Sequence, residues 1–225
     1  CFIGPADSRL RAIPPCGDLL YRPAMRLAIF DLDGTLVHSA PDIAAALNRR
    51  MDATGLAPFA LPEVERMIGD GAKVLLEKAC AARGVPMPEG ALPALLADLE
   101  ANSAVLTAPY PGIPEALDAL ATAGWMLAVC TNKPMAATRA LLAALGLDAR
   151  FAAVLGGDSL AVRKPDPGHV RGVLEALGCA PGDAAMIGDH QNDIRAGRGA
   201  GVRTVFAAWG YGTGEGADAV AATPG

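Results

Sequence analysis

Leu27-Ala28-Ile29-Phe30-Asp31-Leu32-Asp33-Gly34-Thr35 is the stretch on which the fold of this chain turns. Four consecutive apolar residues suit a strand buried on both faces, and the acid- and glycine-bearing residues after them end it. Four further short apolar runs follow, at Met126–Cys130, Ala152–Leu155, Ala184–Ile187 and Thr204–Ala207. Between them lie segments of helical period near 113–123, 135–145, 167–177 and 192–200. Strand alternating with helix implies βαβ units, so the expected class is α/β with a doubly wound parallel sheet. In such sheets reactive groups gather beyond the carboxyl ends of the strands.

From Pro41 to about Pro109 the alternation stops. Helix-like segments near 42–54, 63–67, 71–83 and 91–105 occur there with no convincing strand. They predict a small helical unit over 41–109, inserted after the first strand into a core made of 25–40 and 110–225. Ser39 followed by Asp42 has the form of a capping pair for the first of these helices. Residues 1–24 are interrupted by prolines and lack the unbroken apolar stretch of a secretory signal, so they are expected to be a disordered extension ahead of Met25.

Composition narrows the function. The chain has 225 residues, 52% hydrophobic and 19% charged, which is ample for a packed core and excludes a disordered chain. A formal net charge of -5 argues against nucleic acid as the main partner. No apolar run approaches the ~18–20 residues that span a bilayer, so no membrane partner is expected. Cysteines at 1, 16, 80, 130 and 179 form no C-x-x-C pair and no zinc spacing, which fits reduced thiols and a cytoplasmic location.

The chemistry lies at the strand ends. Asp31 and Asp33 sit at the rim of a buried strand, where like charges ~4–6 Å apart repel by about 3–4 kcal/mol at an effective dielectric near 20. A counter-charge is therefore expected. The run at 184–187 ends in Gly188-Asp189-His190-Gln191-Asn192-Asp193, which adds more acid at another strand end. If the two ends are neighbours, four carboxylates converge, and a hard divalent cation such as Mg²⁺ suits that oxygen set. Cys130-Thr131-Asn132-Lys133-Pro134 ends the second run, with Pro134 placed to open a helix whose free N–H groups make an anion site. In Arg163-Lys164-Pro165-Asp166-Pro167, Asp166 is placed to cap a helix beginning at Pro167, which holds Lys164 at the rim. Nucleophile, acid, metal site, anion cradle and fixed cation together describe phosphoryl transfer.

These residues resemble the four motifs of the haloacid dehalogenase-like (HAD) phosphohydrolase superfamily, in order: DLDGT at 31–35, Thr131 in CTNKP, Lys164 in KPDP, and GDHQND at 188–193. The resemblance spans essentially all of 25–225 and implies a Rossmann-like core. It also implies roles. Asp31 would attack phosphorus, and Asp33 would protonate the leaving group and then activate water. Asp31, the Asp33 carbonyl, Asp189 and Asp193 would hold Mg²⁺. Thr131, Asn132 and the Gly34 amide would hold the phosphate, while Lys164 would offset its charge. An insertion directly after the first motif is the helical cap position of subclass I.

Finer resemblance is to the bacterial phosphoglycolate phosphatases, carried by DLDGTLVHSAPDIAAALN, IGDGAKVLLEKA, YPGIPEALDAL, GGD at 156–158 and WGYGTGE. It implies Mg²⁺-dependent hydrolysis of a small phosphate monoester, 2-phosphoglycolate, through an aspartyl-phosphate, by a monomer or homodimer. Gly69 and Gly71, opening a cap helix, are expected to face the substrate. Departures are His38 and His190, each expected to be a neutral, hydrogen-bonded histidine; His169 is expected on the surface. The alternatives are another HAD phosphatase acting on a sugar phosphate, nucleotide or pyrophosphate, or a β-phosphoglucomutase-like mutase. A mutase would release phosphate slowly from its aspartyl intermediate. A non-catalytic phosphate- or metal-binding regulator would lack Asp33 and the cap.

Overall fold

A computed structural model describes residues 26–225, so the expectation for 1–24 lies outside the described residues. Six strands form one parallel sheet: β1 (Leu27–Phe30), β4 (Met126–Cys130), β5 (Ala153–Leu155), β6 (Ala184–Gly188), β7 (Arg203–Ala207) and β8 (Ala219–Ala221), in the order β5-β4-β1-β6-β7-β8. The five apolar runs became β1, β4, β5, β6 and β7. The edge strand β8 was not expected: its short Ala219-Val220-Ala221-Ala222 run is mostly alanine, and both Ala219 and Val220 are exposed.

Period-two alternation along the strands builds the two faces. Leu27 and Ile29 point to one side, where Val170, Val173 and Leu174 of α7 (Pro167–Leu177) and Ala196 of α8 (Gln191–Ala200) meet them. Ala28 and Phe30 point to the other, against Ile113 and Leu117 of α5 (Ile113–Thr122) and Leu141 of α6 (Met135–Ala144). Because β1 lies between β4 and β6, with Phe30 level with both Val129 and Ile187, the three loops that follow these strands emerge side by side. That register is what assembles the site.

The inserted segment forms α1 (Ala40–Ala53), α2 (Leu61–Glu65), α3 (Ala72–Ala82) and α4 (Ala91–Ala101). Ile43, Leu47 and Met51 recur at helical spacing on α1 and pack with Val64, Leu76, Leu95 and Leu99 into a cluster that meets the core through Ala137 of α6 and Tyr211. The chain leaves and rejoins the sheet through a short antiparallel ribbon, β2 (Val37–His38) against β3 (Ala108–Pro109). Neither two-residue strand was legible, because so short a run has no period.

Two local expectations are corrected. Ser39 precedes α1 but its side chain makes no capping bond. Asp42 instead accepts from the Leu106 and Thr107 amides and the Thr107 hydroxyl, at 2.7–3.0 Å, so it ties the start of α1 to the returning strand. The fourth helix stops at Ala101 rather than 105. The Asn102 side chain bonds back to Asp98 at 2.9 Å, a local alternative to the next helical turn.

Candidate active site

Asp31 follows β1 directly and is 7% exposed. Its Oδ1 lies 3.0 Å from Lys164 Nζ, which also reaches Asp193 Oδ1 at 2.6 Å and donates to the Cys130 carbonyl at 2.5 Å. The ammonium is therefore held between two carboxylates and a backbone carbonyl of the core. Asp166 positions the lysine as expected, accepting from the Gly168 amide at 2.7 Å to cap α7. Burial disfavours the Lys164 ammonium, but Asp193 and Asp31 outweigh that and hold its pKa above the ordinary lysine range.

Asp189 comes from the β6 end. Thr35 Oγ1 donates to one of its oxygens at 2.8 Å and the Tyr211 amide to the other at 2.8 Å. Gly34 makes this possible: its φ is +85°, and a Cβ there would sit 2.3 Å from Asp189 Oδ2. Burial, then Asp31 and Asp193, push the Asp189 carboxyl up to about 8. Asp193 is pushed up to about 6, burial outweighing Lys164.

Asp31, Asp189 and Asp193 each offer an oxygen, all within 4.8 Å of one another. Asp31 Oδ1 and Asp193 Oδ1 are buried and accept no aligned hydrogen bond, leaving only their ion-pair contacts with Lys164. One lysine opposing three close carboxylates leaves an excess of negative charge. A hard divalent cation with oxygen ligands fits that donor set.

The fourth acid behaves differently. The Asp33 carboxylate is not part of that cluster. It pairs with Lys133 Nζ at 3.1 and 3.3 Å, both side chains nearly buried. Sequence reasoning gave Lys133 no role, since a lysine after Thr131-Asn132 carries no signal of what it will face. The anion cradle also needs correction. Pro134 caps α6 rather than opening it, and the first helical amide, Met135 N, donates to Asp158 Oδ1 at 2.8 Å. The chain's own carboxylate already occupies that helix end. Thr131 and Asn132 are both buried beside Asp31, and the Asn132 amide donates to the carbonyls of Lys164 (2.8 Å) and Gly69 (2.9 Å).

Gly69 and Gly71 are brought to the site by α3. They line a cavity of about 40 Å³ with Asp31, Asp33, Thr131, Asn132 and Lys133. By the measure in which one water needs ~10–15 Å³, the space suits a small ligand. Gly71 adopts φ +89°, and a Cβ there would approach the Asn132 carbonyl oxygen at 3.0 Å. Between them Asp70 receives Lys78 Nζ at 2.6 Å and Asn192 Nδ2 at 2.7 Å, the second bond bridging the helical insert to the first turn of α8, just after Asp189. Burial raises the Asp70 pKa, but those two bonds outweigh it and lower the net value.

The histidines divide. His190 Nδ1 accepts from the Asn192 amide at 3.2 Å, which requires a neutral ring, and burial lowers its pKa. His38 Nδ1 lies 3.0 Å from the Tyr211 hydroxyl, which itself accepts from the Ala40 amide at 3.0 Å. Tyr211 thus joins the ribbon at the base of the insert to Asp189, a link across more than 170 positions that no local pattern announces. His169 is not on the surface: it is fully buried, with Nε2 3.1 Å from the Gly156 carbonyl. The start of α7 packs beneath the Gly156 loop, which local periodicity could not show.

Comparison with known proteins agrees with this architecture. The family model for haloacid dehalogenase-like hydrolases matches residues 25–201. A phosphoglycolate phosphatase of Cereibacter sphaeroides is 47% identical over 148 residues, 64% of this chain and 67% of the relative. One of Agrobacterium fabrum is 44% identical over 158 residues, 68% of each. Among solved structures, a predicted phosphoglycolate phosphatase from Haemophilus somnus superposes with TM-score 0.82 at 31% identity, covering 90% of this chain and 96% of that one. CbbY from Rhodobacter sphaeroides, in complex with phosphate, gives TM-score 0.77 at 25% identity over 89% and 95%. With its motifs on adjoining strand ends and the family model spanning most of its length, the chain belongs to the haloacid dehalogenase-like hydrolases and resembles the phosphoglycolate phosphatases among them.

Proposed function

We propose that the protein is a Mg²⁺-dependent phosphatase of small phosphate monoesters, acting on 2-phosphoglycolate to give glycolate and orthophosphate. The observation that carries the reading is Asp31 itself: it borders a small cavity while Lys164, Asp189 and Asp193 crowd its other side. The relatives named as phosphoglycolate phosphatases support the substrate.

In this reading an Asp31 oxygen attacks phosphorus and the ester P–O bond breaks. Asp33 gives its proton to the departing oxygen, leaving an aspartyl-phosphate and free glycolate. Asp33 then takes a proton from water, whose oxygen attacks the same phosphorus and releases Asp31 with orthophosphate. Lys164, 3.0 Å from Asp31, opposes the charge on the phosphoryl oxygens. The Thr131 hydroxyl orients that group, whereas two donors expected from the sequence are already engaged: the Gly34 amide by the Val37 carbonyl at 2.9 Å, and the Asn132 side-chain amide by the Lys164 and Gly69 carbonyls. Asp31, Asp189, Asp193 and the Asp33 carbonyl would hold Mg²⁺, which when bound supplies the positive charge that phosphoryl oxygens need. Helices α1–α4 serve as the cap domain over 41–109, excluding water from a core of 25–40 and 110–225. Their apolar cluster, to which the core adds only Ala137 and Tyr211, supports that division.

The test is phosphate release from a panel of phosphorylated acids, sugars and nucleotides, with Mg²⁺ and with EDTA. The expected result is turnover of 2-phosphoglycolate that EDTA abolishes. Asp31→Asn is expected to remove turnover with an unchanged circular dichroism spectrum. Activity that survives chelation, or survives in Asp31→Asn, contradicts the mechanism.

A further inference from the structure

We propose that Lys133 selects the substrate by binding a carboxylate carried on the leaving group, so that the enzyme prefers phosphorylated short-chain acids to other monoesters. The inference rests on the phosphatase reading above and names what its cavity recognises. The helical insert contributes Ile43, Ile68, Ala72, Leu75 and Leu99 to the cavity wall, with Gly69 and Gly71. None of these has a hydrogen-bonding side chain. A sugar's hydroxyl groups would lose water there and gain no side-chain partner on that wall, so each group left unpaired would weaken binding. The wall suits a substrate that is short and whose polarity lies close to the phosphorus.

On the core side, Lys133 is the one lysine or arginine among the residues lining the cavity. Lys164 lies behind Asp31, its ammonium held by Asp31, Asp193 and the Cys130 carbonyl, and it is not among the residues lining the cavity, so it does not reach a distant part of the substrate. The Asn132 amide nitrogen is occupied by two backbone carbonyls. Lys133 Nζ, by contrast, is held by the two oxygens of Asp33, at 3.1 and 3.3 Å, with one further donor to give.

That partner fixes the place. The group that protonates the leaving oxygen must come within ~2.6–3.2 Å of it. Lys133 Nζ stands at the same range from Asp33, and so beside the leaving oxygen's position. In a phosphorylated 2-hydroxy acid the carboxylate hangs one carbon from that oxygen, and therefore falls within reach of the ammonium. An ammonium attracts a carboxylate strongly at this range in a site shielded from water. A cation at this position favours acids and gives nothing to neutral leaving groups.

The experiment compares kcat/KM for 2-phosphoglycolate and for ethyl phosphate, which has the same carbon count without the carboxylate, in wild type, Lys133→Met and Lys133→Arg with saturating Mg²⁺. A lost charge-assisted hydrogen bond corresponds to roughly 10–100-fold. The ratio of the two substrates is expected to favour the acid in wild type. It should fall at least ~10-fold in Lys133→Met, chiefly through KM, and hold in Lys133→Arg, which keeps the charge. An equal loss on both substrates overturns the inference, because Lys133 would then act only through Asp33. A ratio that Lys133→Met leaves unmoved also overturns it. Wild type that hydrolyses ethyl phosphate as readily as 2-phosphoglycolate overturns the inference and leaves the phosphatase reading standing. Wild type that hydrolyses no monoester overturns that reading and the inference with it. Should Lys133→Met fail to fold, product inhibition of wild type decides the matter. Glycolate is expected to compete at concentrations where ethanol does not, and equal potency overturns the inference.

Discussion

Replacing Lys164 by methionine tests how the buried charges balance. The lysine side chain is 1% exposed and its partners, Asp193 and Asp31, are 1% and 10% exposed, so neither carboxylate can exchange its ion pair for water. Methionine keeps the aliphatic stem and removes only the ammonium. Breaking one side of a buried pair costs about 3–5 kcal/mol, because the remaining charge is left uncompensated. For a chain of this size each kcal/mol moves Tm by roughly 2–4 °C, so Lys164→Met is expected to melt about 6–20 °C below wild type at pH 7.5 without metal. The cost comes from orphaned carboxylates, so removing one should relieve it. Lys164→Met/Asp193→Asn is expected to melt above Lys164→Met alone, and Mg²⁺ is expected to raise the Tm of Lys164→Met more than that of wild type. Differential scanning calorimetry with and without MgCl₂ reads all three. A Tm within about 2 °C of wild type, or a double variant less stable than the single, would refute the reasoning.

Two further outcomes follow from the same packing. Gly71→Val forces a β-branched residue into φ +89° and drives its Cβ toward the Asn132 carbonyl. Steady-state kinetics are expected to show at least ~10-fold lower kcat/KM on 2-phosphoglycolate, and unchanged kinetics would remove this loop from the site. His169 donates from Nε2 to the Gly156 carbonyl while its buried Nδ1 has no partner, so a second proton would be stranded; burial holds its pKa down to about 4 from 6.5. Its unfolded form therefore binds the extra proton first. The stability it confers is complete above pH ~6.5 and is lost as pH falls toward 4, at up to about 1.4 kcal/mol per pH unit. Urea melts between pH 7 and 4 should show a shallower decline in His169→Gln, and identical slopes would exclude this histidine.

The order of elements was legible because it is written locally. Short apolar runs such as 27–30, 126–130 and 184–187, each closed by glycine, proline or acid, mark buried parallel strands. The acids at their ends are too costly to be accidental. Parallel pairing puts Asp31, Thr131 and Asp189 on one side of the sheet, since its strands all end there, but the strand order that seats β1 between β4 and β6 and brings the three together came from the tertiary structure. The tertiary structure alone also decided which charge meets which. Lys133 faces Asp33 across 100 positions, and Lys164 rather than Lys133 sits behind Asp31. Asp158 fills the α6 terminus that looked open, and Tyr211 supports Asp189 while anchoring the ribbon beneath the insert. These pairings depend on loop paths and side-chain reach in three dimensions. Neither leaves a period in the chain, because a side chain's partner is set by proximity after folding and not by spacing before it.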